Sequence, residues 1–107
     1  MQIKQLKNFT KGWLVGDFDP SIIKTKDFEV AVKQYEQGDK EKKHVHKIAR
    51  EITAVVSGKF VMNGTELKEG DVVDLPPGEP ADFEALEKGA TVVIKTPSVM
   101  NDKYLVD

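Results

Sequence analysis

His44 and His46 are the only histidines among 107 residues, and a carboxylate, Glu51, follows five positions after His46. Imidazole and carboxylate side chains together either ligate a divalent cation or form a proton-transfer pair. Alternate residues of an extended strand point the same way, about 6–7 Å apart along the chain. His44 and His46 can therefore reach one ion. Glu51 stands at an odd offset, and unbroken alternation would turn it to the opposite face. A turn across residues 48–50 into a new strand resolves this, and is expected here. His44, His46 and Glu51 are thus the candidate metal ligands, and the two histidines are also the candidate catalytic groups. There is no cysteine, which excludes thiolate ligands, a thiol nucleophile and disulfides. Ser21, Ser57 and Ser98 lie in no nucleophile motif, and no glycine-rich phosphate loop occurs.

The elements that position these residues follow from punctuation. Gly12, Gly16, Asp19-Pro20, Gly38, Gly58, Asn63-Gly64, Gly70, Pro76-Pro77-Gly78 and Gly89 separate short runs rich in Val, Ile, Phe and Thr. That rhythm indicates an all-β sandwich or barrel. No segment shows an apolar stripe at helical spacing; the charged stretch 40–47 lacks one. A first strand is expected around Ile3 and Leu6, and a short one at Trp13–Val15, with Trp13 read as core. Residues 27–35 alternate Phe28, Val30 and Val32 with Glu29, Ala31 and Lys33, which predicts a strand buried on its even-numbered side. Residues 43–47 are expected to be extended.

The strand over residues 51–56 is apolar on both faces: Thr53 and Val55 share Glu51's parity, whereas Ile52, Ala54 and Val56 take the other. Such a strand is covered on both sides, by a second subunit or by the N-terminal segment, and a homodimer is expected. Asn63-Gly64 predicts a type I′ hairpin between residues 60–62 and 65–67. Val72–Leu75, 82–86 and 91–96 are the remaining strands. The tail over 97–107, with Val99, Tyr104 and Leu105, is expected to pack on this chain or a neighbour.

Composition narrows the partners. Charged residues make up 32% and hydrophobic residues 39%, with net charge −2, an ordinary soluble balance. Nucleic acid is not an expected partner, since phosphate neutralisation needs a basic surplus. No window reaches the apolar length of a membrane span, and the opening MQIKQLKNF has no signal-like apolar run. One domain over residues 1–107, located in the cytoplasm, is the expectation. Lys40, Lys42, Lys43 and Lys47 are read as a solvated face that Glu36, Asp39 and Glu41 nearly neutralise.

The region from residue 38 to 58 resembles the first motif of the cupin superfamily: a glycine, five residues, His-x-His, three or four residues, a glutamate, six residues and a glycine. Gly38, His44, His46, Glu51 and Gly58 fill it without a gap. Chance would produce such a match in a chain this long on the order of once in 100,000 sequences. The second motif is matched at Gly70, Pro76 and Gly78, but Ala81 and Ala85 stand where the family has histidine and asparagine. The resemblance implies a double-stranded β-helix, a jelly-roll barrel. It also implies a divalent ion (Fe, Mn, Zn or Ni) held by His44, His46 and Glu51, with the fourth ligand absent. Two imidazoles and one carboxylate suffice for a facial triad with open positions. Asp82, one residue past the vacant ligand position, joins them if a bulge reverses its direction.

Three functions are compatible with this pattern, because one barrel hosts them all. The first is a metal-binding barrel acting on a small polar molecule. The second is a metal-free barrel like the sugar-nucleotide epimerases and isomerases, with a histidine as base. The third is a ligand-binding module without chemistry, its pocket lined by Val55, Phe60 and Phe83.

Overall fold

A computed structural model describes residues 1–107 as two five-stranded antiparallel sheets facing one another. The strands are β1 (Trp13–Val15), β2 (Glu29–Tyr35), β3 (Lys40–Val45), β4 (Arg50–Ser57) and β5 (Lys59–Met62). They continue as β6 (Thr65–Lys68), β7 (Val72–Leu75), β8 (Ala81–Ala85), β9 (Gly89–Thr96) and β10 (Tyr104–Leu105). The first sheet runs β1-β2-β9-β4-β7 and the second β10-β3-β8-β5-β6. This is the all-β barrel that the strand rhythm indicated, in the double-stranded β-helix form that the resemblance implied.

The two sheets contribute unequally to the core. In the second, Phe60, Met62, Leu67, Ala81, Phe83 and Ala85 point inward, and with Val55 and Leu75 they form the hydrophobic core. Phe60 and Phe83 stack with ring centroids 4.9 Å apart, and Tyr35 meets Phe60 edge-on. In the first sheet one inward row across β2, β9 and β4 is charged, Glu29, Lys95 and Glu51, and the next is the buried Ala31, Val93 and Thr53. Its outward rows are mainly apolar: Val30, Ile94 and Ile52 with Asp74 at the edge in one, Val32, Val92, Ala54 and Val72 in the next. The expected parity of residues 27–35 is therefore reversed. Ala31 is fully buried and Phe28 is exposed, because the even-numbered face looks away from the barrel.

Local chemistry accounts for the turns. Asn63 and Gly64 both take positive φ, 50° and 76°, the type I′ geometry that suits a two-residue hairpin between twisted strands. Gly58 is required for a different reason: a Cβ there would stand 2.6 Å from the Lys88 carbonyl oxygen. Residues Ile3 and Leu6 do not start a strand. The chain forms two short 3-10 turns, Leu6–Asn8 and Thr10–Gly12. Lys11 and Gly12 at φ 51° and 81° break any extension into β1.

The tail packs on its own chain, but not through its apolar residues. Tyr104 and Leu105 are exposed, while Ser98 and Asp102 are buried. Polar bonds hold it. No helix is long and apolar enough to cross a membrane.

Candidate functional site

Strand β3 delivers the histidines by an irregularity. Glu41 pairs with Phe83 and His44 with Ala81, so three steps along β3 match two along β8. That bulge brings His44 to the inner face already occupied by Glu41, and His44 is 8% exposed. His46 follows just past the strand end, its ring centroid 5.2 Å from that of His44. The chain then bends at residues 47–48 and enters β4, where Glu51 faces inward beside Lys95. The turn expected before Glu51 is present, one to two residues early.

That bend is fixed from the far end of the sequence. One Asp102 carboxylate accepts hydrogen bonds from the amides of Lys47, Ile48 and Ala49 at 2.9–3.2 Å. Burial opposes the charge on Asp102, but those amides and nearby His46 outweigh it and hold its pKa below the ordinary carboxylate value. The His46 Nδ1–H donates to the Asp102 carbonyl at 2.9 Å, and the His44 Nδ1–H donates to the Lys42 carbonyl at 2.8 Å. A carbonyl only accepts, so both rings carry their neutral-state proton on Nδ1 and keep the Nε2 lone pair free. Burial, reinforced by Lys95, lowers the His46 pKa against the opposing pull of Glu51.

His44, His46, Glu51 and Ala81 border one narrow cleft, which continues into a cavity of about 250 Å³. Ala81 lies directly across from His44, so the residue at the vacant ligand position does face the site. Asp82 borders the larger cavity only. Its carboxylate accepts the Asn63 amide at 2.8 Å, and its own amide donates to the Asn63 side chain, which ties it to the hairpin turn. As the side chains stand, no three of the His, Asp and Glu residues are close enough together to hold an ion. The donor set nevertheless suits a divalent cation in kind. Ligating histidines characteristically donate their second nitrogen to a carbonyl or carboxylate, as both rings do here.

Several cavity residues escaped the sequence reading. Lys11, Lys33, Lys95 and Lys103 line it, together with Trp13, Tyr35 and Glu41. Lys95 Nζ bonds Glu29 Oε1 at 3.3 Å, with both side chains largely buried. The Ser98 hydroxyl donates to the second oxygen of Glu29 and accepts the Asp17 amide. The Trp13 ring lies 4.9 Å from Lys33 Nζ and 4.8 Å from Lys95 Nζ, so Trp13 is a cavity wall and not plain core. Val55 and Phe60 belong to the packed core and not to the cavity; of that trio only Phe83 reaches it. Burial, followed by Glu41, raises the Tyr35 pKa far above the ordinary phenol value, so the hydroxyl remains protonated. Lys40, Lys42, Lys43 and Lys47 are all exposed, as a solvated face requires. A second opening of about 470 Å³ shares Trp13, His46, Lys95 and Lys103 and forms the approach to the inner cavity.

Comparison with known proteins bears on the fold. No family model and no curated protein matches the sequence. Among solved structures, an uncharacterized conserved protein with a double-stranded β-helix domain from Klebsiella pneumoniae is similar at TM-score 0.72 and 22% identity. That match covers 98% of this chain and 91% of the other. An RmlC-like cupin from Shewanella frigidimarina matches at TM-score 0.65 and 21% identity, covering 72% and 71%. Oxalate decarboxylase from Bacillus subtilis, a protein with Mn(II) centres, matches at TM-score 0.65 and 18% identity, over 76% of this chain and 24% of its own. Sheet order and these likenesses agree: the chain has the double-stranded β-helix fold.

Proposed function

We propose that the protein binds a small polar molecule in the barrel and holds a divalent cation with His44, His46 and Glu51. The observation carrying this reading is the pair of imidazoles whose Nδ1–H groups are committed to backbone carbonyls. Their Nε2 lone pairs remain for an ion, in a cleft shared with Glu51. The Mn(II) centres of the oxalate decarboxylase support the same assignment. When bound, the cation would act as a Lewis acid on a ligand oxygen. The chain's own residues do the rest. Asp102 and the Lys42 carbonyl orient the imidazoles, the Phe60–Phe83 stack closes the floor, and Ala81 leaves room where a fourth ligand would stand.

Ion binding must bring the three side chains closer together than they stand. Metal content measured by mass spectrometry after purification without added metal tests this. About one ion per chain in the wild type, lost in His46→Ala, is expected; equal and sub-stoichiometric content in both proteins would sink the assignment.

A second, metal-free reading has its own support. Neutral His46, with Nδ1 held by the Asp102 carbonyl, presents Nε2 as a general base, and Lys95 stands close enough to disfavour a second positive charge there. Activity that persists in chelator and disappears in His46→Ala would select it.

We also assign a second copy of the chain to the apolar outer face of the first sheet. Val72 is 65% exposed, Val56 51% and Ile94 36%, an unusual concentration on one sheet face. Light scattering is expected to give a dimer mass, and Ile94→Lys a monomer; a wild-type monomer at every concentration would remove this assignment.

A further inference from the structure

Four lysines meet three carboxylates in the cavity. Lys11, Lys33, Lys95 and Lys103 line it, against the carboxylates of Glu41, Glu51 and Asp82. Lys95 is answered by Glu29, and Asp82 is engaged by the hairpin amide. Lys33, Lys11 and Lys103 form no ion pair, while seven other lysine or arginine side chains do. Lys33 is also the one drawn inward. It projects from the middle of β2 opposite Thr91, half-buried, with its ammonium against the Trp13 ring.

Burying an unpaired ammonium is costly, and a cation–π contact offsets only part of that cost. Burial and the fields of Lys11, Lys95 and Lys103 all act against the charge on Lys33, with Glu41 across the barrel in partial opposition. A fold that keeps such a group gains something from it when an anion arrives.

We propose that this cavity is a binding site for a small organic carboxylate, with Lys33 as its principal charge contact and Trp13 positioning the ammonium groups of Lys33 and Lys95. Lys11 and Lys103 draw the anion in. The volume of about 250 Å³ lies below the span of roughly 300–1,000 Å³ for drug-sized ligands, which fits a short-chain acid. A carboxylate fits better than a phosphate. Lysines supply the charge, the only arginine, Arg50, is paired with Asp74 outside the barrel, and no helix N-terminus or glycine-rich loop offers amides for phosphate. The inference names the ligand class for the cavity read above as a small-molecule site, and on that reading it rests. It does not require the cation.

Calorimetric titration with succinate, on protein stripped with EDTA and at low ionic strength, is the test. Succinate is expected to bind and to raise the melting temperature by linkage, whereas uncharged succinamide does neither. Lys33→Gln is expected to weaken succinate about tenfold to a hundredfold; Lys103→Gln is expected to weaken it less, and Lys43→Gln, on the exposed face, not at all. A urea unfolding curve for each variant confirms that it is folded. Succinamide binding as well as succinate, full affinity in folded Lys33→Gln, or no succinate binding at millimolar concentration would each overturn the proposal. Inorganic phosphate binding as tightly, with the same dependence on Lys33, would overturn the choice of carboxylate. Repeating the titration with Mn(II) separates the two readings. Succinate binding without any Mn(II) uptake removes the cation and leaves the anion site; Mn(II) uptake without succinate binding does the reverse.

Discussion

The two sheets of this barrel divide the interior unequally. The second is apolar within along β5, β6 and β8 and more polar without: Phe60 and Leu67 face the core, while Val61 lies between Glu66 and Glu84 on the outside. The first sheet turns Glu29, Lys95, Glu51 and Lys33 inward and leaves Val30, Val32, Ile52, Ala54 and Ile94 on its outer face. The second sheet supplies six of the eight core residues, and the first adds Val55 and Leu75. That division gives the first sheet room for charged groups on its inner face, and it leaves apolar surface outside.

Substitutions placed on each sheet sharpen or break this division. The largest effect is expected for Phe60→Ala. Phe60 is fully buried in the stacked core, and such truncations cost about 3–5 kcal/mol, a large share of a small domain's stability. A urea midpoint close to the wild-type value would show that the second sheet does not carry the core. Asp102→Ala comes next. It strips one acceptor from three amides at the bend beside His46, for a loss of about 1–3 kcal/mol. The His46 ring resonances are expected to broaden with it; unchanged spectra would separate the bend from the site.

Lys33→Met is expected to act in the opposite direction. The folded-state pKa of Lys33 lies below its ordinary 10.5, so the unfolded chain holds this proton more tightly than the native one. Stability therefore rises as pH climbs through the folded pKa toward 10.5. The variant is expected to gain less than about 1 kcal/mol at neutral pH and to lose that alkaline rise. A destabilised Lys33→Met with the rise intact would mean that the inward lysine supports the fold. The smallest effect belongs to Val61→Lys, on the outer face of the second sheet, at about 0.5 kcal/mol or less and with no change in mass by light scattering. A monomer produced by this change would place the dimer contact on the wrong sheet.

What could be read in advance was local. Asn63-Gly64 names its own turn, and the spacing from Gly38 to Gly58 picked out His44, His46 and Glu51, which border one cleft. Ala81, at the vacant ligand position, proved to stand opposite His44. The rest depended on contacts between distant segments. Alternation in β2 gives the period of a strand but not which side is inside, and the valines there favoured the wrong side. Lys33 and Lys95 were hidden by that choice. The bulge between Glu41 and His44 has no glycine to mark it. Asp102 looks like any surface carboxylate until the fold carries three amides to it. Trp13 was read as core because its neighbours in space, two ammonium groups, come from β2 and β9.

The bond between His46 and Asp102 spans 56 residues, and this sets an order of events during synthesis. At about 5–20 residues per second, the ribosome adds Asp102 roughly 3–11 s after His46. Strand β9, which joins β2 to β4 at the centre of the first sheet, is also late. For those seconds the nascent chain holds both histidines on an unpinned bend, beside apolar rows that have no neighbour. The time until Asp102 emerges is thus when the growing chain most needs protection from premature pairing.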